Sequence, residues 1–194
     1  MRVVAGLAKG RELRVPKSDK TRPTTDKVRD AIFNVVAADI EGAVVLDLFA
    51  GSGAMAIEAL SRGAAEAELV EDDRDAVAVI RRNLELAGMQ QRATVWPMPV
   101  HRALSKVGRQ FDIIVADPPY SMPGIHELAE RLSESGLLGP GGVLVLEHGK
   151  RFDAKPVYGR LVRWQEKRYG DTSVSFYVVP VDSVIAAQKE ESVT

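Results

Sequence analysis

From Val44 onward the sequence alternates short apolar runs with segments of helical period, and that alternation decides which folds are open to the chain. Val44–Leu48, Ala67–Glu71, Thr94–Trp96, Phe111–Ala116 and Val143–Glu147 read as five strands. Between them, Ala54–Arg62, a stretch from a cap at Asp72 or Asp73 to Ala87, Val100–Val107 and His126–Ser135 read as helices. Gly63 and Gly88 stand as helix stops. Strands joined through helices are crossover units, which predict a parallel sheet covered on both faces. Gly139-Pro140-Gly141-Gly142 reads as a turn. Leu161–Arg168 and Ser173–Val179 are separated only by Tyr169-Gly170-Asp171-Thr172, a gap that suits an antiparallel hairpin.

Upstream, Val3–Ala5 and Glu12–Val15 are β-prone pieces around Gly6 and Gly10 and predict a small hairpin. Lys17–Thr25 is polar and reads as a loop. Thr25 can cap a helix whose Val28, Ala31, Ile32, Val35 and Val36 share one apolar face. Residues 1–30 hold nine Lys and Arg against four acids, a net +5, whereas the whole chain carries -1. A basic N-terminal arm on a mildly acidic body points to a polyanionic partner, with Lys9, Arg11, Arg14, Lys17, Lys20 and Arg22 as its contacts. The plainer reading is a solvated basic edge. The expected organisation is an arm and loop over 1–23, one domain over 24–180 and a frayed polar tail over 181–194.

The chain has no Cys, which excludes a disulfide framework, a Cys zinc site and any mechanism with a cysteine nucleophile. His101, His126 and His148 lack ligand spacing, so no metal is expected. No run approaches the roughly 20 apolar residues of a membrane span, and no apolar segment follows Met1-Arg2 as a secretory signal requires. A cytoplasmic monomer is expected. Trp164 and Tyr169 could stack on a nucleic acid, but aromatic residues on β-strands read first as core. Arg151, Lys155, Arg160, Arg163, Lys167 and Arg168 form a second basic cluster, either an RNA surface or a solvated edge.

Two segments carry chemistry. The first is Leu46-Asp47-Leu48-Phe49-Ala50-Gly51-Ser52-Gly53, a strand-to-helix turn whose glycines let a ligand approach the backbone. Glu71 ends the next strand, where a carboxylate can take both hydroxyls of a ribose, with Asp72 beside it. Ala56 stands where a dinucleotide fingerprint has its third glycine. Asp47 stands where a pyrophosphate would lie, and two such anions repel by about 4 kcal/mol at roughly 4 Å. S-adenosylmethionine has no phosphate and carries an ammonium and a sulfonium, which an aspartate suits. The alternative is that Asp47 only caps the turn.

The second segment is Asp117-Pro118-Pro119-Tyr120, after the apolar fourth strand. Ligand crevices in open α/β sheets lie at the carboxyl ends of strands, so Asp47, Glu71 and Asp117 should share one rim. The set suits methyl transfer to a planar amine. The Asp117 carboxylate and Pro118 carbonyl can take the two N–H hydrogens, and the Pro118-Pro119 pair stiffens the loop. Tyr120 offers a ring face to an unstacked base.

These segments, together with Arg22-Pro23-Thr24-Thr25-Asp26-Lys27-Val28-Arg29, Glu58-Ala59-Leu60-Ser61-Arg62-Gly63-Ala64 and Tyr169-Gly170-Asp171-Thr172, resemble the RsmD-type bacterial 16S rRNA guanine-N2 methyltransferases over about residues 2–179. The resemblance implies a Rossmann-like class I methyltransferase fold, α/β, with a seven-stranded, mostly parallel sheet, an antiparallel last strand and an N-terminal β-hairpin arm. It implies S-adenosyl-L-methionine as donor and a guanine N2 amine of 16S rRNA in the assembling small subunit as acceptor. Arg22, Pro23 and Thr24 would then approach the cofactor or the target base. The family's Asp or Asn after the third strand, which meets the adenine amino group, is replaced here by Trp96-Pro97-Met98-Pro99. Backbone groups and Met98 are expected to hold adenine instead.

Other readings use the same residues. DNA adenine-N6 methylation shares the tetrapeptide but usually brings a target-recognition domain, for which no segment here is long enough. Release-factor glutamine methylation has Asn where Asp117 stands. A non-catalytic RNA-binding assembly factor could keep the fold, and measurable donor affinity separates it from an enzyme.

Overall fold

The computed structural model describes residues 1–16, 25–120 and 122–181. Strands β1 (Val44–Leu48), β2 (Glu66–Glu71), β3 (Ala93–Pro97), β4 (Phe111–Ala116), β5 (Leu138–Gly149), β6 (Val157–Tyr158), β7 (Leu161–Tyr169) and β8 (Thr172–Val178) form one sheet. Its order is β3-β2-β1-β4-β5-β8-β7-β6. Neighbours from β3 to β5 pair in parallel, and β8 runs antiparallel between β5 and β7. The sheet has eight strands where seven were expected. The addition is β6, whose two residues pair with β7 and are too few to leave a period in the sequence.

The central strands β1, β4 and β5 are largely buried on both faces because helices cover both, whereas the outer strands β3 and β7 are only half-buried. Helices α1 (Asp26–Val35), α2 (Ala54–Ser61) and α3 (Arg74–Ala87) pack on the face that carries Val45, Ile113 and Val145. Helices α4 (Val100–Ala103) and α5 (Ile125–Glu134) pack on the face of Leu46, Leu48, Ile114 and Leu144. The alternation along β1, Val45 one way and Leu46 the other, is the period of two at work. Each such side chain contributes about 1.5–3 kcal/mol when fully buried. No helix among the described residues is long and apolar enough to cross a membrane.

Three local expectations change. First, Gly139–Gly142 lies inside β5 rather than in a turn before it. The β4–β5 register jumps between Phe111↔Leu138 and Ile113↔Val143, so an irregularity absorbs the Gly-Pro-Gly-Gly run within the strand. Second, the buried residues of α1 are Val28, Arg29, Ile32 and Phe33, with Ala31 and Val35 only half-buried. Third, the N-terminal hairpin forms but is short, with the Arg2↔Glu12 bridge flanked by the Val3 amide donating to Arg11 O, the Leu13 amide to Met1 O and the Gly10 amide to Val3 O.

The hairpin stays short because the amides toward its tip are taken elsewhere. The amides of Val4 and Ala5 donate to the two Glu58 oxygens at 2.8 and 2.9 Å, and those of Leu7 and Ala8 donate to Ser61 O and Oγ. Gly6 sits so close that a Cβ there would lie 1.7 Å from Ser61 O, with φ at +76°. Glu58 also accepts from Arg29 Nε and Arg62 Nε, and Arg29 and Glu58 are both wholly buried. Arg29 Nη2 donates to Arg2 O and Asp26 Oδ1. The arm is thus bolted to α1 and α2 through one carboxylate. Arg29, counted in the sequence with the exposed basic segment, serves this interior network.

Candidate active site

The strand order reverses between β1 and β4, whose carboxyl ends flank the topological switch point where ligands bind in such sheets. In register, Asp47 pairs with Leu69 on one side and Val115 on the other. This brings Asp47, Glu71 and Asp117 to one rim, as the strand-end reading requires. The Asp117 amide donates to Leu48 O at 3.4 Å, tying the tetrapeptide to the tip of β1.

The turn after β1 is held from several sides. Phe49 has φ +63°, a left-handed conformation that a non-glycine residue adopts at a cost of about 1–2 kcal/mol. Gly53 is the N-cap of α2 with φ +77°, and a Cβ there would press on Leu69 and Ile80 side chains from 3.2 Å. Glu71 Oε2 accepts from the Gly51 amide at 2.8 Å, while Oε1 accepts from the amides of Asp72 and Asp73. Asn83, fully buried on α3, donates to Ser52 O and Arg14 O and accepts from the Arg14 amide. Ser52 Oγ donates to Met1 Sδ at 3.5 Å. Asn83 escaped the sequence reading because one Asn on an amphipathic helix carries no local signal.

Two cavities open at this rim. The first, about 440 Å³, has apolar walls from Phe49, Val70, Met98, Leu104 and Leu128, with Glu71 and Asp72 on its edge. Its size lies in the range of small-molecule sites. Phe49, Glu71, Asp72 and Met98 are therefore gathered as the sequence proposed. A flat ring between apolar walls and a ribose at Glu71 fit this lining. The second, about 550 Å³, is lined by Tyr120, His126, Lys150, Arg151, Phe152 and Asp171, with Met122 and Gly124 shared between the two. Pro119 lines the first and Tyr120 the second, while Asp117 and Pro118 line neither. His126, Phe152 and Asp171 were given no site role in the sequence. They come from three separate elements that only the fold brings together.

Asp47, Ala50, Gly51, Ser52 and Gly53 do not line either cavity. Asp47 is 2% exposed, beneath the turn, and its Oδ2 accepts from the Ala56 amide at 3.1 Å. Burial pushes its pKa up to about 7, opposed by the Ala56 hydrogen bond and reinforced by the nearby Glu71 charge. A carboxyl whose folded-state pKa lies above its unfolded value favours the fold fully below about pH 4, and that contribution is lost as pH rises through 7. The loss is bounded at about 4 kcal/mol by three pKa units. Asp47→Asn is therefore expected to melt higher than wild type at pH 8, with the gap closing at pH 5. Equal melting temperatures at pH 8 would show that the carboxylate is stabilised where it lies.

Of the basic residues, Lys9 and Arg14 are exposed, and Arg11 donates to Leu86 O at the end of α3. Lys17, Lys20, Arg22, Pro23 and Thr24 lie outside the described residues. In the second basic cluster, Lys155, Arg163 and Arg168 pair with Glu130 or Glu166, and Arg160 caps Ser133 O and Leu138 O. Trp164, expected in the core, is 46% exposed beside Phe176. His148 is buried against Ser175, and His126 Nδ1 meets the Tyr158 hydroxyl at 2.6 Å. Among the described residues no group of three or more His, Cys, Asp or Glu could hold a metal ion.

Comparison with known proteins agrees with this fold. The family described as Conserved hypothetical protein 95 matches residues 1–178. The ribosomal RNA small subunit methyltransferase D of Escherichia coli K12 is 38% identical over 149 residues, 76% of this chain and 74% of that protein. The solved structure of Escherichia coli yhhF superposes with a TM-score of 0.83 at 33% identity, covering 93% of this chain and 98% of that one. An RNA methyltransferase from Salinibacter ruber, solved with S-adenosyl-L-homocysteine, shares the fold at 22% identity and a TM-score of 0.64, over 83% of this chain and 95% of its own. The chain belongs to the RsmD family of small-subunit ribosomal RNA methyltransferases.

Proposed function

We propose that this protein transfers a methyl group from S-adenosyl-L-methionine to the exocyclic N2 amine of a guanine in 16S rRNA, on the small ribosomal subunit. The observation that carries this reading is the placement of Pro119 on one cavity and Tyr120 on the other, at the switch point of the sheet where Asp117 hangs from the tip of β1. One cavity has the apolar walls and acidic edge that suit an adenosine. The other has the aromatic and polar lining that suits an unstacked base.

The donor supplies an electrophilic methyl group on a sulfonium. The chain's own residues do the positioning. Glu71 and Asp72 face the ribose hydroxyls, Phe49 and Met98 cover the adenine ring, and buried Asp47 braces the turn by accepting from the Ala56 amide. The aniline-like N2 lone pair is delocalised into the ring, so the amine needs help to present it. The Asp117 carboxylate and Pro118 carbonyl accept its two hydrogens and favour the pyramidal nitrogen. An aspartate is a weak base at neutral pH, and the proton need leave only after the methyl arrives, when the nitrogen is cationic. Alignment within a dry site therefore supplies most of the rate. Exposed Lys9 and Arg14 would meet RNA phosphates, and such contacts weaken with salt.

The test is labelled methyl transfer to small subunits, free 16S rRNA and duplex DNA in parallel, with nucleoside analysis of the product. N2-methylguanosine from small subunits is expected. N6-methyladenine from DNA would replace the acceptor assignment, and donor binding without transfer to any substrate would favour the assembly-factor reading.

A further inference from the structure

The Tyr169-Gly170-Asp171-Thr172 turn carries no chemistry of its own in the proposed reaction, yet it reaches the acceptor side of the site. Its position follows from register. β8 starts at Thr172, which lies opposite Gly149 at the end of β5, while Val174 lies opposite Glu147. The hairpin between β7 and β8 thus delivers the Thr172 hydroxyl to the carboxyl end of the parallel sheet, beside the tetrapeptide.

There it meets Tyr120. The Tyr120 hydroxyl donates to Glu147 Oε1 at 3.2 Å and lies 2.5 Å from Thr172 Oγ1. A phenol has one proton; with that proton on the buried Glu147, the Thr172 hydroxyl is the donor of the shorter bond. The ring lies beside Gly149, where an added Cβ would meet Tyr120 Cδ2 at an ordinary 3.6 Å. Tyr120 is nonetheless 45% exposed and lines the larger cavity. So its tip is held by two hydrogen bonds, one side faces Gly149, and its exposed surface faces the acceptor side.

We infer that Thr172 is a positioning residue for the acceptor base: with Glu147 and Gly149 it fixes the plane of Tyr120, so that the ring is a rigid stacking platform aligned with Asp117. This rests on the proposed reading of the larger cavity as the base pocket. Holding the ring in advance removes rotamer entropy that binding would otherwise have to overcome. It also withholds the phenol proton from the chemistry. Burial, with the Glu147 and Asp117 charges nearby, lifts the Tyr120 pKa to about 12 despite the Thr172 bond.

The test is a mutant cycle with two readouts. In labelled transfer to small subunits, Thr172→Val should lower kcat/KM for the acceptor roughly tenfold, the equivalent of about one hydrogen bond. Donor affinity should stay within about twofold, and Thr172→Ser should restore the rate. In a Tyr120→Phe background, Thr172→Val should add no further loss. The second readout needs no turnover. With 3-fluorotyrosine at the four tyrosines, the ¹⁹F line that Tyr120→Phe removes should be the one that Thr172→Val shifts and broadens. Full additivity of the two substitutions, or an unmoved Tyr120 line, overturns the proposal. A product other than N2-methylguanosine with the spectral change intact would instead revise the substrate and leave the clamp standing.

Discussion

Asp117→Ala is expected to lower methyl transfer by about 10²–10³-fold while donor affinity stays within about twofold of wild type. The magnitude is that of removing one positioned polar group at a reacting centre. Separation of the two effects follows from the fold. Asp117 hangs from the tip of β1 by a backbone bond to Leu48 O and lines neither wall of the smaller cavity. Its carboxylate can therefore be lost without disturbing Phe49, Glu71 or Met98. Asp117→Asn keeps one acceptor oxygen but adds a donor toward the amine, and should fall between wild type and Ala. Single-turnover transfer and calorimetric donor binding, measured on the same samples, decide the matter. An Ala variant that turns over normally would take the amine-binding role away from Asp117. A variant that loses donor affinity in parallel would move that residue to the donor side.

Glu58→Gln should have the largest effect on stability, about 3–5 kcal/mol. Its carboxylate receives two arm amides and two guanidinium groups, and it is wholly buried beside wholly buried Arg29. Among the described residues, a neutral amide leaves Arg29 in the interior with only the half-exposed Asp26 as charged partner, and presents donors where donors already converge. Arg29 Nη1 has no hydrogen-bond partner among the described residues, so the site has little capacity to compensate. The expected signs are a lower urea midpoint and faster proteolysis within residues 1–16. A Glu58→Gln protein within about 0.5 kcal/mol of wild type would mean that the arm is held by its apolar contacts, Val3, Ala8 and Leu13.

The contrast between what could and could not be read in advance follows the range of the interactions. Strands such as Phe111–Ala116 and the glycine turn after Asp47 are written in runs of a few residues, and they stand where the sequence puts them. Helix α3 shows its cap at Asp73 and its stop at Gly88 for the same reason. The arm could not be read this way. Its amides pair with Glu58, more than 50 residues along the chain, and nothing in Val3–Ala5 marks that partner. Arg29 likewise looks like any other cation of a basic segment until Glu58 and Arg2 O surround it. Of the residues read as donor-binding, Phe49, Glu71, Asp72 and Met98 line the smaller cavity, whereas Asp47 and Ala50–Gly53 line neither. The meeting of Tyr120 with Gly149 and Thr172 could not be read, because it is assembled by an antiparallel register that leaves no mark on any single segment.

The adjacency of the two cavities, with Pro119 on one, Tyr120 on the other and Met122 and Gly124 common to both, has a bearing on inhibition. An adenosine-like head and a purine-like head joined by a few atoms would each find a ready wall, and the second would dock at the high effective concentration set by so short a tether. Such a compound would draw its selectivity from the far compartment, where Lys150, Phe152 and Asp171 give the molecule features that a shared nucleoside pocket does not.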